Sequence, residues 1–175
     1  QPHNRVRYLV ASAEHTPLAS DSIDLITVAQ AVHWFDRPRF YQEVRRVGRN
    51  GSVLAVWAYG LATISPAVDA VVEQLYEPIL GRYWPPERKL IEERYTTIDF
   101  PFEELVAPPF EMPAQWRLPD LLGYLGTWSS VEKYRATNGS DPLELIATEL
   151  RQAWGEPETQ RLVRWPLYLR VGRVD

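Results

Sequence analysis

Three consecutive segments constrain the fold more than anything else in the chain. "IDLITVA" (Ile23–Ala29) is a short apolar run bounded by turn chemistry, and "SVLAVWAY" (residues 52–59) is apolar almost throughout. Strands covered on both faces have this character, so the two read as parallel strands. Between them lies "DRPRFYQEVRRVGRNG", in which Asp36 caps, Pro38 suits a first turn, Gly48 ends the run, and Phe40, Tyr41, Val44 and Val47 fall on one helical face. Strand, helix and parallel strand make a crossover that is right-handed almost without exception. A further short apolar run, "VRYLV" (residues 6–10), precedes them and reads as another strand of the same sheet.

The remainder continues the α/β alternation less regularly. "SPAVDAVVEQLY" predicts a helix with Ser65 as cap, Pro66 at the first helical position, and Val68, Val71, Val72 and Leu75 as its buried stripe. Residues 77–119 hold eight of the fifteen prolines, so long regular elements are not expected there. Within that stretch "FEMPAQWRL" (residues 110–118) is predicted as an edge strand, where a proline is tolerated. In "DPLELIATELRQAWG" Asp141 caps a helix, with Glu144 placed for a capping box and Leu143, Ile146, Ala147, Leu150 and Trp154 as its stripe. "RLVRWPLYLRVGRV" is predicted as a final strand paired with the one near Phe110.

Composition narrows the chemistry. A length of 175 residues, 45% of them hydrophobic, is enough for one compact domain with a core. A net charge of −4 gives no basic field for a phosphate backbone, so nucleic acid is not expected as a partner. With no cysteine there is no disulfide, thiolate nucleophile or Cys-ligated metal. His3, His15 and His33 lack HExxH spacing, no serine sits in a GxSxG turn, and no glycines form a GxGxxG or P-loop. No metal site is therefore expected. No apolar run approaches membrane-spanning length and the start lacks signal-peptide regions, so the chain reads as soluble and cytoplasmic, with no membrane partner. The only methionine is Met112, and residue 1 therefore reads as the result of processing or as part of something longer.

In an open α/β sheet a ligand lies outside the carboxyl ends of the strands. Those ends fall at residues 11–17, 29–36 and 59–64. The first offers a small polar turn with backbone N–H groups at Ala13 and Glu14, the second Gln30, His33 and Trp34, and the third Tyr59 beside Gly60. Aromatic walls with a few fixed polar groups suit a small organic ligand.

The stretch "YLVASAEHTPLASDSIDLITVAQAVHWFDRPRFYQEVRRVGRNGSVLAVW" resembles the class I S-adenosylmethionine-dependent methyltransferases, in the small-molecule branch that includes trans-aconitate methyltransferase-like proteins. The most specific part is "SAEHTPL" followed by "DLITVAQAVHWF"; residues 6–59 match closely and the rest loosely. The resemblance implies a Rossmann-like sheet of seven strands in the order 3-2-1-4-5-7-6. This chain would supply strands three to seven, with helices on both faces and a proline-rich lid, residues 60–119, on the acceptor side. Residues 1–175 would then be the C-terminal portion of a single methyltransferase domain. The family's glycine-rich loop and its acidic ribose-binding residue have no counterpart here and would lie before Gln1.

The resemblance also implies S-adenosyl-L-methionine as cofactor. Ala13 and Glu14 match positions whose backbone amide meets adenine, Ser12 stands where an Asp often accepts from the adenine amino group, and Ala29 and Gln30 match backbone positions near the cofactor's methionine. A carboxylate acceptor would be positioned by arginines, with Arg82 and Arg88 the candidates, and a hydroxyl or amine would use His33 as base. Trp34, Tyr59, Tyr83 and Trp84 complete the expected acceptor side. Plainer readings stand beside these: Glu14 as a solvated turn residue, His33 and Trp34 as packing, Tyr83 and Trp84 as a rigid corner, and both arginines as surface charges.

The expected function is methyl transfer to a small-molecule acceptor by a truncated piece of the enzyme. A non-catalytic remnant or protein-interaction module that keeps part of the fold is the alternative. With strands about 4.8 Å apart, omission of the first two leaves a gap of about 14 Å between the third and the fourth. Residues 6–10 are therefore expected to pair directly with the fourth strand, to be held by another chain, as in a homo-oligomer covering the exposed sheet edge, or to follow residues that precede Gln1.

Overall fold

The computed structural model describes residues 3–175. They form two compact units. The first takes in the chain as far as Ala58, with Glu93–Pro108 and Tyr168–Asp175; the second consists of Tyr59–Glu92 and Pro109–Leu167.

The first unit is built on the predicted crossover. Strand β1 (Ile23–Ala29) leads through a turn of 3₁₀ helix, Val32–Trp34, into α1 (Arg37–Val47) and on to β2 (Gly48–Tyr59), which lies parallel to β1. Asp36 caps α1 by accepting from the Arg39 amide, and Phe40, Tyr41, Val44 and Val47 are its buried face, as the periodicity requires. The strand order is β1-β2-β5-β3, where β3 is Glu103–Leu105 and β5 is Arg161–Arg173, and β3 runs antiparallel to β5. The sequence order 4-5-7 is thus met by β1, β2 and β5.

Residues 6–10 correct an expectation. They form no strand and do not pair with β1; Tyr8 is 78% exposed, and the Val6 amide donates only to the carbonyl of His3. A lone extended run has no ladder to join, and water satisfies its backbone more cheaply than an unmatched edge does.

In the second unit β4 (Phe110–Trp116) pairs antiparallel with the first half of β5, Phe110 opposite Leu167 and Trp116 opposite Arg161. Helices α2 (Pro66–Gln74), α4 (Leu118–Gly126), α5 (Ser129–Asn138) and α6 (Ala147–Trp154) bury a common core around Val68, Leu75, Leu121, Leu125, Leu150 and Trp154. Pro78 turns the end of α2 into a π turn, Leu75–Ile79, and the only other helix before Pro108 is the five-residue α3 (Arg88–Glu92), as the proline content foretells. Ser65 stands at the N-cap of α2 without making the cap bond; the Asp69 carboxylate instead accepts from the Ile64 amide. The helix expected from Asp141 is split at Ile146 into a 3₁₀ turn, Pro142–Leu145, and α6. Asp141 does cap, accepting from the Leu143 amide. Residues 60–119 are divided between the two units. Among the described residues no helix is long and apolar enough to cross a membrane.

Candidate functional site

The carboxyl end of β1 collects the predicted rim of the first unit. Ala29 closes the strand, and Gln30 follows in the left-handed region at φ +53°, its amide bonded to the Trp57 carbonyl of β2 at 2.8 Å. A non-glycine residue there carries a cost of about 1–3 kcal/mol, and such strain gathers at ligand sites. The reversal brings His33 and Trp34 round at once, with ring centroids 4.8 Å apart. His33 is buried at 6% exposure, whereas Trp34 is 57% exposed.

The turn of Ser12, Ala13 and Glu14 meets the same end. Its carbonyl at Ser12 accepts from the His15 amide, and the Glu14 amide donates to the Ser12 hydroxyl at 3.2 Å. That hydroxyl in turn donates to the Glu14 carboxylate, whose other oxygen accepts from the Asp36 amide at 3.0 Å. The Ser12 hydroxyl above all, then the amides of Glu14 and Asp36, hold the Glu14 carboxyl below its ordinary range. Glu14 is therefore no mere solvated turn residue: it ties the 12–15 turn to the start of α1, six residues after Gln30. Ser12 spends its hydroxyl on Glu14, while the Ala13 backbone faces a cavity of about 280 Å³ walled by Leu18, Ile23, Leu25 and Ile26.

Residues that sequence reasoning missed fix this turn. Glu43, 6% exposed on α1, accepts from the amide and the hydroxyl of Thr16, each at 2.7 Å, and from Arg46 at 2.7 and 2.8 Å. Arg46 also donates to the carbonyls of Leu18 and Thr16. Hydrogen bonding from Arg46, with Thr16 adding to it, draws the Glu43 carboxyl down to about 2. The other missed residue is Tyr95, fully buried, whose hydroxyl lies 2.7 Å from His33 Nδ1. Its place on an irregular segment gives no periodic signal.

The acceptor-side candidates belong to the second unit, and the structure sorts them into two groups. Arg88 lies over the rings of Tyr76 and Trp84, 5.4 and 4.8 Å from their centroids, and its Nε donates to the Tyr76 hydroxyl at 2.9 Å. Trp84 and Tyr76 both pack on Trp128. Burial, reinforced by the Glu92 carboxylate that accepts from it, pushes the Tyr76 hydroxyl up to about 12, so it stays protonated. Tyr59 joins this group electrostatically: burial, with Tyr124 nearby, raises its hydroxyl against the opposing charge of Arg88. Arg82 and Tyr83 turn elsewhere. Arg82 covers and hydrogen-bonds Tyr83, which packs on Tyr134 and accepts from Asn138 of α5. Among the described residues no three His, Asp or Glu side chains cluster in a way that would hold a metal ion.

A family model described as a methyltransferase domain matches residues 1–56. A Dictyostelium discoideum protein named as a methyltransferase is 36% identical over 178 aligned positions, which take in 98% of this chain and 68% of that protein. An uncharacterised methyltransferase of Mycobacterium tuberculosis is 48% identical over 50 residues, 28% of this chain and 21% of the relative. Among solved structures, a type II methyltransferase from Anaeromyxobacter dehalogenans superposes with a TM-score of 0.92 at 51% identity, over 99% of this chain and 74% of that one.

Proposed function

The chain belongs to the class I S-adenosylmethionine-dependent methyltransferases, and from that premise we propose that it moves a methyl group from S-adenosyl-L-methionine to a small organic acceptor bearing a carboxylate or a hydroxyl. One observation carries this reading. The tied 12–15 turn, the strained Gln30 and the His33–Trp34 pair share the carboxyl end of β1, where open α/β sheets bind ligands.

These residues fit the cofactor in kind. Backbone groups at Ala13 and at Ala29–Gln30 suit the polar edges of a nucleoside and an amino acid, and the exposed Trp34 ring suits a cationic or flat group. Ser12, with its hydroxyl engaged by Glu14, has one lone pair left for an adenine amino group, and Glu14 contributes by holding the turn. When bound, the cofactor supplies a methyl on a sulfonium that is already an activated leaving group. What the chain adds is alignment and exclusion of water, and no covalent catalyst is required.

On the acceptor side we assign Arg88 the role of an anion anchor. Its guanidinium is oriented by Tyr76 and Trp84, and among the described residues no carboxylate lies within ion-pair distance of it. Trp84 and Tyr59 line the same group of side chains, whereas Arg82 and Tyr83 serve the second unit's packing and take the acceptor only at its margin. A cytoplasmic setting belongs to this reading, since a chain without cysteine needs no oxidising compartment.

A thermal shift tests the reading. S-adenosyl-L-methionine at 100 times its dissociation constant is expected to stabilise the chain by about 2.7 kcal/mol. No shift at millimolar cofactor would remove methyl transfer by this chain and favour an interaction module on the same fold.

A further inference from the structure

We infer that Tyr95 is a positioning residue for His33: its hydroxyl donates to His33 Nδ1, keeps the ring proton on Nε2, and sets the imidazole as a hydrogen-bond donor instead of a base. The two atoms lie 2.7 Å apart, and the two side chains come from segments 62 residues apart, with Tyr95 fully buried and His33 nearly so. A phenol is a stronger acid than a neutral imidazole N–H, and an imidazole nitrogen is a better acceptor than a phenol oxygen. The short contact is therefore O–H to N, and the neutral ring carries its proton on the other nitrogen.

The backbone around Tyr95 supports a purpose beyond packing. Arg94 and Tyr95 are consecutive non-glycine residues in the left-handed region, at φ +56° and +57°. An aromatic side chain is rare there, and the conformation persists only where the surroundings impose it. Arg170 imposes it: its Nη1 donates to the carbonyls of Tyr95 at 3.1 Å and Ile98 at 2.8 Å, while its other nitrogens hold both oxygens of Glu104 at 2.8 Å. The Arg94 guanidinium lies over Tyr168. Two strained turns, one at Gln30 and one at Arg94–Tyr95, thus converge on a single imidazole.

The consequence for the reaction rests on the methyl-transfer reading. With Nδ1 taken and Nε2 protonated, resting His33 has no lone pair with which to deprotonate a hydroxyl. The acceptor it serves is an oxygen already ionised at working pH. An oxygen lone pair then forms the new bond to the methyl carbon, the carbon–sulfur pair departs with sulfur, and no proton moves.

Long-range ¹H–¹⁵N correlation spectra of the ¹⁵N-labelled chain, recorded well above the imidazole titration range, test the assignment. His3→Gln and His15→Gln remove the other two sets of ring signals. The expected result is an Nε2–H ring for His33, and a shift of its Nδ1 and Nε2 resonances toward a mixture of tautomers in Tyr95→Phe. An Nδ1–H ring in the parent chain, or an unchanged pattern in a folded Tyr95→Phe variant, would overturn it. The parent spectrum decides the matter even where the variant does not fold. The two readings fail separately: an Nε2–H ring without stabilisation by S-adenosyl-L-methionine removes the enzyme assignment alone, and stabilisation with an Nδ1–H ring removes this one.

Discussion

A single carboxylate does more for the rim of the site than any residue at the rim itself. Glu43 holds Thr16 by amide and hydroxyl and shares its charge with Arg46, which in turn grips the carbonyls of the loop. Its carboxyl titrates at about 2 in the fold, against an ordinary 4.5. A depressed value of this kind means stability that is present above the unfolded value and is lost as pH falls from about 4.5 towards 2. Melting temperature measured across that window is expected to fall less steeply in Glu43→Gln than in the parent chain. At pH 7 the same variant is expected to be less stable by about 1–2 kcal/mol, the usual worth of hydrogen bonds to a charged group. Equal slopes for the two proteins would assign the acid sensitivity to other groups. Sequence reading found the rim residues because they follow strand ends, a positional rule. Glu43 was invisible to it, since a buried acid on an amphipathic helix looks like any other polar position until the loop folds over it.

Elements with strong periodicity were legible and elements that depend on a distant partner were not. β1 begins and ends where the apolar run does, α1 starts at the capping Asp36, and the proline-containing Phe110–Trp116 is an antiparallel strand beside β5. Residues 6–10 have the composition of a strand, but composition supplies no partner, and without one the segment stays extended in water. The break at Ile146 eluded the pattern because a 3₁₀ turn and an α-helix place their apolar residues at similar spacings over so short a run. β3 is three residues long, below what alternation can reveal. Its neighbourhood explains one glycine. A Cβ at Gly172 would come within 2.7 Å of both Phe100 and Phe102, two buried rings that pack on Tyr41. Gly172→Ala is expected to cost about 1–3 kcal/mol by overpacking, read as a lower denaturant midpoint with an unchanged slope. A neutral result would show that this edge of the sheet yields freely.

For the molecule as a whole, the open edge of β1 is the exposed liability. β1 ends the strand order of its sheet, Leu25 is 57% exposed on it, and the apolar residues 6–10 lie uncovered. An apolar edge with unpaired amides and carbonyls recruits further chains, most readily where net charge vanishes, here near pH 5.5. Light scattering is expected to show self-association that peaks near that pH and is reduced in Leu25→Lys, with unchanged circular dichroism. Equal association by the two proteins would place the contact elsewhere.

The long strand β5 has its own consequence. Its first half completes the pairing of β4, and its second half completes the sheet of β1, β2 and β3. It is also the latest strand in chain order, so a nascent polypeptide halted before Arg161 has two unfinished sheets and no means of closing either. Both halves of the molecule must therefore wait, during synthesis, for the same thirteen residues to clear the ribosome.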